Sequence, residues 1–351
     1  MHAVVAAVIV FLGALPPQAA PRQSFSDLVA SYRDGQYEPA VTYAKTKTDI
    51  GFSEDIERWI DYARHANGQR EIEAGLMLQT EVTFSFLDAL FDNAPGRSQS
   101  NSQQSLGRLK RLHDGLASMD RRSPFLRSWY LLWGAYLQSR NAIDLVDEAS
   151  DYVSIGLKAF PEDPDLLLMK GSAREMSWWM TLDNPQRRPD GKDGSKQSAL
   201  REARDYFRRS VATGKGPLNE SHLRLGRVLV ALADYDAALA ELQPLQSPTG
   251  NGALAYLANL LVGEVHERRN NLDAAAAAYD AAMRVMPSGQ SAQLAAAHLA
   301  HRNSARKRAA DLVEHALTQQ SDQIDPWWWY IRGQTWQFDL GLAAARKVVK
   351  P

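Results

Sequence analysis

Residues 257–287 read LANLLVGEVHERRNNLDAAAAAYDAAMRVMP, and their spacing decides the fold. Gly263 and Ala275 stand twelve residues apart, with Asn271-Leu272 between them. Two helices that cross at small side chains bring their backbones close together, and the larger Tyr279 fills the space beside the crossing. Pro287 ends the second helix, because its ring cannot continue the hydrogen-bond ladder. Residues 219–250, NESHLRLGRVLVALADYDAALAELQPLQSPTG, repeat the figure with Gly226, Ala238 and Leu242.

The same register extends in both directions. Gly134, after Trp133, is followed by Ala149 and Val153; Gly171 pairs with Ala203 and Phe207 across an insertion at about 178–198. Ala297 pairs with Ala309, and Gly333 with Ala345. The small first-helix residue thus recurs at 134, 171, 226, 263, 297 and 333, and all steps but one lie near a period of about 34 residues. FSDLVASYRDGQYEPAVTYA (25–44) reads as a further copy with its turn at Gly35. Residues 53–120 follow helical periodicity but fit the repeat poorly, with candidate helices over 54–66, 71–91 and 103–119. Alternating β-branched runs are missing, so the chain is expected to be all-α.

This pattern resembles the tetratricopeptide (TPR) repeat, W-x2-L-G-x2-Y, then A-x3-F, then P. The resemblance covers about two thirds of the chain that follows the N-terminal apolar run. It implies a right-handed superhelical solenoid of antiparallel helix hairpins sharing one continuous core. Three regions follow: hairpins and divergent helices over 21–120, repeats over 121–325, and a C-terminal aromatic half repeat with a cap helix over 326–351.

For function, the resemblance implies a non-catalytic protein–protein interaction scaffold that holds a peptide or protein segment in its concave groove. Carried over residue by residue, the groove positions are Ser172, Glu175 and Met176, then Arg227 and Val230, then Glu264, Glu267 and Arg268. His298, His301 and Arg302 follow, and Gln334, Gln337 and Phe338 close the row. One subclass of the family clamps a terminal carboxylate with Lys and Asn. Only Arg227 and Arg302 replace the lysines here and the asparagines have no counterpart, so no such clamp is expected.

Two aromatic features stand apart. Trp178 and Trp179 open the insertion, and Trp327-Trp328-Trp329-Tyr330 precede Gly333. Trp327 and Tyr330, three apart, fall on the groove side of a helix, with Trp328 near its edge. Exposed rings there support an alternative reading, an exported helical protein that binds a glycan or other solute.

Composition narrows the field. Forty basic against 41 acidic side chains give a net charge of −1, with no overall field to draw in nucleic acid. Cysteine is absent, which removes disulfides, thiolate metal sites and cysteine nucleophiles. The catalytic signatures H-E-x-x-H, G-x-S-x-G, G-x-G-x-x-G and the P-loop are missing, and no cofactor is expected. His298 and His301 share a helix face without a third ligand nearby, so no metal site is expected. Ala3–Leu15 is an apolar run ended by Pro16 and Pro17, with small Ala19 and Ala20 after it. Residues 1–20 therefore read as a signal peptide, and the mature chain is expected outside the cytoplasm, periplasmic or secreted.

Overall fold

The structure is a computed structural model describing residues 24–46, 51–66, 68–93, 99–140, 142–182, 194–247, 251–319, 324–332, 343 and 345–349. The apolar N-terminal run lies outside the described residues, as do 183–193 in the insertion and Gly333, Gln334, Gln337 and Phe338.

The described residues form helices and no strand. In chain order these are α1 (Phe25–Arg33), α2 (Glu38–Thr46), α3 (Gly51–His65), α4 (Gln69–Asn93), α5 (Gln99–Met119) and α6 (Pro124–Ser139). Then come α7 (Ile143–Ala159), α8 (Pro164–Leu182), α9 (Gly194–Ala212), α10 (Leu218–Ala231) and α11 (Tyr235–Leu242). The last are α12 (Gly252–Arg268), α13 (Leu272–Val285), α14 (Gln290–Arg302), α15 (Arg306–Thr318) and α16 (Pro326–Arg332). Helices α3 to α5 occupy the segment that fits the repeat poorly. The insertion is helical at both described ends, so Trp178 and Trp179 sit inside α8 rather than at the mouth of a loop.

The small residues stand at the crossings. A methyl group added at Gly226 would meet Leu242 Cδ2 at 2.5 Å, and one at Gly263 would meet Tyr279 Cε1 at 2.3 Å. At Gly171 it would meet Phe207 Cε1 at 2.5 Å. At Gly134 the obstacle is Met169 Sδ at 2.2 Å, contributed by the next hairpin, with Val153 Cγ2 at 3.0 Å. Tyr279, Leu242 and Phe207 are therefore the fillers their spacing implied, and Ala203, Ala238 and Ala275 are buried beside them.

A second signature lies in the turns. Ala233, Asn270 and Ser304 all carry φ near +60°, each seven residues after its repeat's small residue. The amides that follow donate back across the turn: Asp234 to Leu229 O at 2.9 Å, Asn271 to His266 O at 2.8 Å and Ala305 to Ala300 O at 2.9 Å. This left-handed closure satisfies carbonyls that the helix end leaves open. Gly35, at φ 81°, closes α1 in the same way through Gln36 N and Ser31 O at 2.8 Å. Hairpin α1–α2 thus shares its turn with the repeat hairpins.

Hairpins α6–α7, α8–α9, α10–α11, α12–α13 and α14–α15 stack on one another in sequence order. The first helices form a row, α4 on α6, α6 on α8, α8 on α10, α10 on α12 and α12 on α14. Two large apolar cores run beneath this row. One reaches from α1 to the start of α8, with Trp129 and Trp133 stacked at 5.0 Å in its middle; the other runs from α8 to α14.

The C-terminal residues depart from the expected half repeat. Ala345 is not packed on α15 as the second helix of a last hairpin; with Val349 it is buried in the first core, at the other end of the array. Helix α16 packs on α12 and sends Tyr330 into the second core. The outer side of α14–α15 consequently has no further hairpin over it among the described residues, and Leu294, Val313 and Leu317 are exposed there.

Candidate functional site

The row of first helices carries charge where it is most covered. Glu175, on α8, receives Arg224 Nη1 at 3.0 Å and Arg227 Nη1 at 3.1 Å, both from α10. Arg224 Nε also donates to Glu220 at 2.9 Å, one helical turn back. Two carboxylates thus face two guanidinia, and none of the four side chains is more than 9% exposed. Burial alone would lower the Arg224 guanidinium, yet the Glu220 and Glu175 carboxylates hold it above its usual range.

The cover is the C-terminal aromatic run. The Tyr330 ring lies over Arg224 at 4.9 Å and over Arg227 at 5.0 Å, and Trp327 faces Arg227 at 5.8 Å. Desolvated guanidinium–ring contacts are worth about 2 kcal/mol. Burial, with Glu175 next, raises the Tyr330 hydroxyl, which stays neutral. The two rings lie over α10, and their faces are taken by its arginines. Tyr330 is 3% exposed and offers a sugar no face, whereas Trp328 is exposed.

Asp325 sets where this segment begins. Its carboxylate accepts from Ser291 N at 2.6 Å, Tyr256 Oη at 2.9 Å and Trp327 N at 2.9 Å. One buried side chain thereby fastens the starts of α14 and α16 to α12. Gly289 leaves room for Tyr256, whose hydroxyl would lie 2.5 Å from an added methyl group.

At the far end of the row the same chemistry appears with the partners exchanged. Arg346 Nη2 donates to Glu81 of α4 at 2.8 Å, its guanidinium lies over the Tyr37 ring at 5.2 Å, and Tyr37 Oη donates to Arg346 O at 2.7 Å. Burial raises the Glu81 carboxyl above its ordinary 4.5, although Arg346 and the Tyr32 hydroxyl pull it down. A raised folded-state value means that folding takes up a proton. This carboxyl therefore stabilises most below its ordinary value, and the contribution is lost as pH rises through the raised one. The Glu81→Gln chain lacks that slope. Urea melts are expected to show it gaining on the parent as pH goes from about 4 to 7; parallel curves would contradict the assignment.

The remaining groove positions behave differently by helix. Ser172, Met176 and Val230 are buried with Glu175 and Arg227. On α12 and α14 the row opens. Glu267 accepts from Arg302 at 2.7 Å and from Tyr279 Oη at 2.9 Å, with His298 Nε2 3.4 Å away. Arg268 pairs with Glu264 at 2.9 Å, and His298, His301, Arg302 and Arg268 are exposed. His298 and His301 also border an open cleft of about 890 Å³ between α14 and α15, floored by Leu294, Ala297, Ala309 and Val313. Among the described residues no three His, Asp or Glu side chains gather to hold a metal ion. Trp178 and Trp179 are half-buried with ring centroids 6.4 Å apart, and Trp178 packs on the second core.

Sequence reading missed Arg224, Glu220, Glu81, Arg346 and Asp325. A local signal existed for two of them: Glu220 and Arg224 stand four apart in a stretch whose other positions, Leu223, Leu225 and Val228, are core. A charged pair on the apolar side of a helix requires partners elsewhere.

No protein-family model matches this chain, and no curated protein matches it. Among solved structures, a MamA protein is similar at a TM-score of 0.40 and 17% identity, over 56% of this chain and 97% of its own. YrrB, described as a TPR protein with an unusual peptide-binding site, gives 0.39 and 15%, over 60% and 93%. The human IFIT1 dimer with m7Gppp-AAAA gives 0.41 and 11%, over 85% and 59%. The TPR-like assignment rests on the crossings and turns of this chain itself.

Proposed function

We propose that this protein is a non-catalytic interaction scaffold, exported from the cytoplasm, that holds a peptide or protein segment on the open part of its inner face. The observation that carries the reading is the mixed-charge patch on α12 and α14, where Arg268, His298, His301 and Arg302 are exposed beside the partly covered Glu264 and Glu267. It adjoins a stretch of the same row already covered by another segment of the chain. Such a surface offers hydrogen bonds and charge of both signs to an extended backbone. The aromatic rings that favoured a glycan, Trp327 and Tyr330, are engaged by arginines.

A photo-reactive residue at His301 tests this. It is expected to join a discrete protein partner in the native compartment, and the joined product should disappear when Glu267, Arg268 and Arg302 are changed together to alanine. Unchanged capture by the triple variant would refute the patch. N-terminal sequencing of the natural product tests the export half: a mature end near residue 21 is expected, and retention of Met1 in the cytoplasm would contradict it.

A further inference from the structure

We infer that residues 326–332 and 345–349 are an intramolecular ligand of the inner face, displaced by partner segments of the same chemistry. That chemistry is two aromatic side chains three residues apart, docking on the guanidinia of α10, and a basic side chain docking on Glu81. The inference builds on the scaffold reading and concerns the covered half of the row rather than the open patch.

The covered surface is built unlike a core. Beneath Tyr330 and Trp327 lie Glu175, Glu220, Arg224 and Arg227, each no more than 9% exposed, whereas other charged contacts between hairpins, such as Arg127 with Asp163, Arg302 with Glu267 and Arg308 with Asp280, are more open to water. Buried ion pairs are no more stabilising than well-packed apolar residues of similar volume. A permanent lid would therefore gain nothing from them. A surface that is at times open to water keeps its charges solvated when uncovered, and it recognises a visiting ring and base through them.

The covering segment is also built to come off. Helix α16 has seven residues, too few to hold helical structure without its docking surface. Trp328 within it is 47% accessible, and Ile324, just before it, 59%. The segment's hold combines a few polar points, Asp325 at the start, the two rings over arginines and Arg346 between Glu81 and Tyr37, with only three side chains buried in the cores, Tyr330, Ala345 and Val349. Segments of this kind occupy the low end of the local-stability range. Being tethered, the segment acts at an effective concentration of around millimolar, so a free segment of the same composition competes poorly until the tether's own side chains are removed.

The test uses the full chain and a fluorescein-labelled synthetic peptide of residues 324–351. By polarisation, the peptide is expected to bind the Trp327→Ala/Tyr330→Ala double variant roughly 100-fold more tightly than the parent. A peptide carrying the same two alanines should not bind the opened chain. A reversed pair supplies the second arm: Arg346→Glu should admit the peptide, and adding Glu81→Arg should exclude it again. Equal uptake by parent and double variant, or none by a double variant whose circular dichroism and melting match the parent, overturns the inference. So does unfolding of that variant, because a displaceable segment is not required for the fold. The cross-link at His301 reads the scaffold proposal separately, and it can survive loss of this one.

Discussion

Changing Glu175 to alanine is expected to cost the fold about 3–5 kcal/mol, the largest effect of any single substitution on the inner face. The side chain holds two guanidinia at 3.0 and 3.1 Å and is 3% exposed. Without it Arg227 loses its carboxylate, and Arg224 keeps only Glu220 while both remain out of water. Uncompensated buried charge is expensive, whereas removing the whole set costs little. Replacing Glu175, Glu220, Arg224 and Arg227 together by methionine is accordingly expected to restore most of the stability while abolishing the hold on Tyr330 and Trp327. Repeat arrays do not always unfold in one step, so hydrogen exchange resolved to α8 and α10 is the appropriate measurement. A loss below about 1 kcal/mol at these helices would mean that the cluster is solvated and that α16 does not cover it.

Gly263→Ala is expected to destabilise by about 1–3 kcal/mol, the range for overfilled cores. Alanine is the better helix former by up to about 1 kcal/mol, so in an open helix the change would help. Here the new methyl group would stand 2.3 Å from Tyr279 Cε1 and 2.5 Å from Cδ1. That ring is 3% exposed and its hydroxyl is tied to Glu267, so it has little room to move aside. Adding Tyr279→Leu should recover part of the loss by giving the methyl group somewhere to go. Gly107→Ala provides the contrast: nothing lies within 4 Å of the added atom, and thermal melting should show that variant level with the parent or above it. Equal behaviour of the two substitutions would remove the basis for assigning the crossings.

These two predictions differ in how far the sequence could have led to them. Gly263 and Tyr279 are sixteen residues apart in one hairpin, and a fixed period brings such pairs together whatever the rest of the chain does. The crossings, the fillers and the turn at Gly35 were legible for that reason. The left-handed turn at Ala233 was not, because alanine carries no preference for it; only Asn270, of the three equivalent residues, belongs to a type enriched there. Glu175 meets Arg224 across 49 positions, and Arg346 meets Glu81 across 265. Contacts at those distances depend on where the superhelix carries each surface, and periodicity has no bearing on them. The three-residue spacing of Trp327 and Tyr330 did bring both rings to one partner, Arg227. What it left out was that arginines already waited there, which turned a candidate ligand platform into an internal contact.

The bond from Tyr37 to Arg346 spans 309 positions, and the core that contains Leu28, Tyr32 and Ala44 also contains Ala345 and Val349. A ribosome making about 5–20 residues per second needs roughly 15–60 s to travel that far. Throughout that interval the first hairpin has emerged but cannot finish its interior, since the pieces that complete it have not been synthesised. Birth order and assembly order are therefore reversed at this end of the molecule: the earliest helices to appear are among the last to be closed.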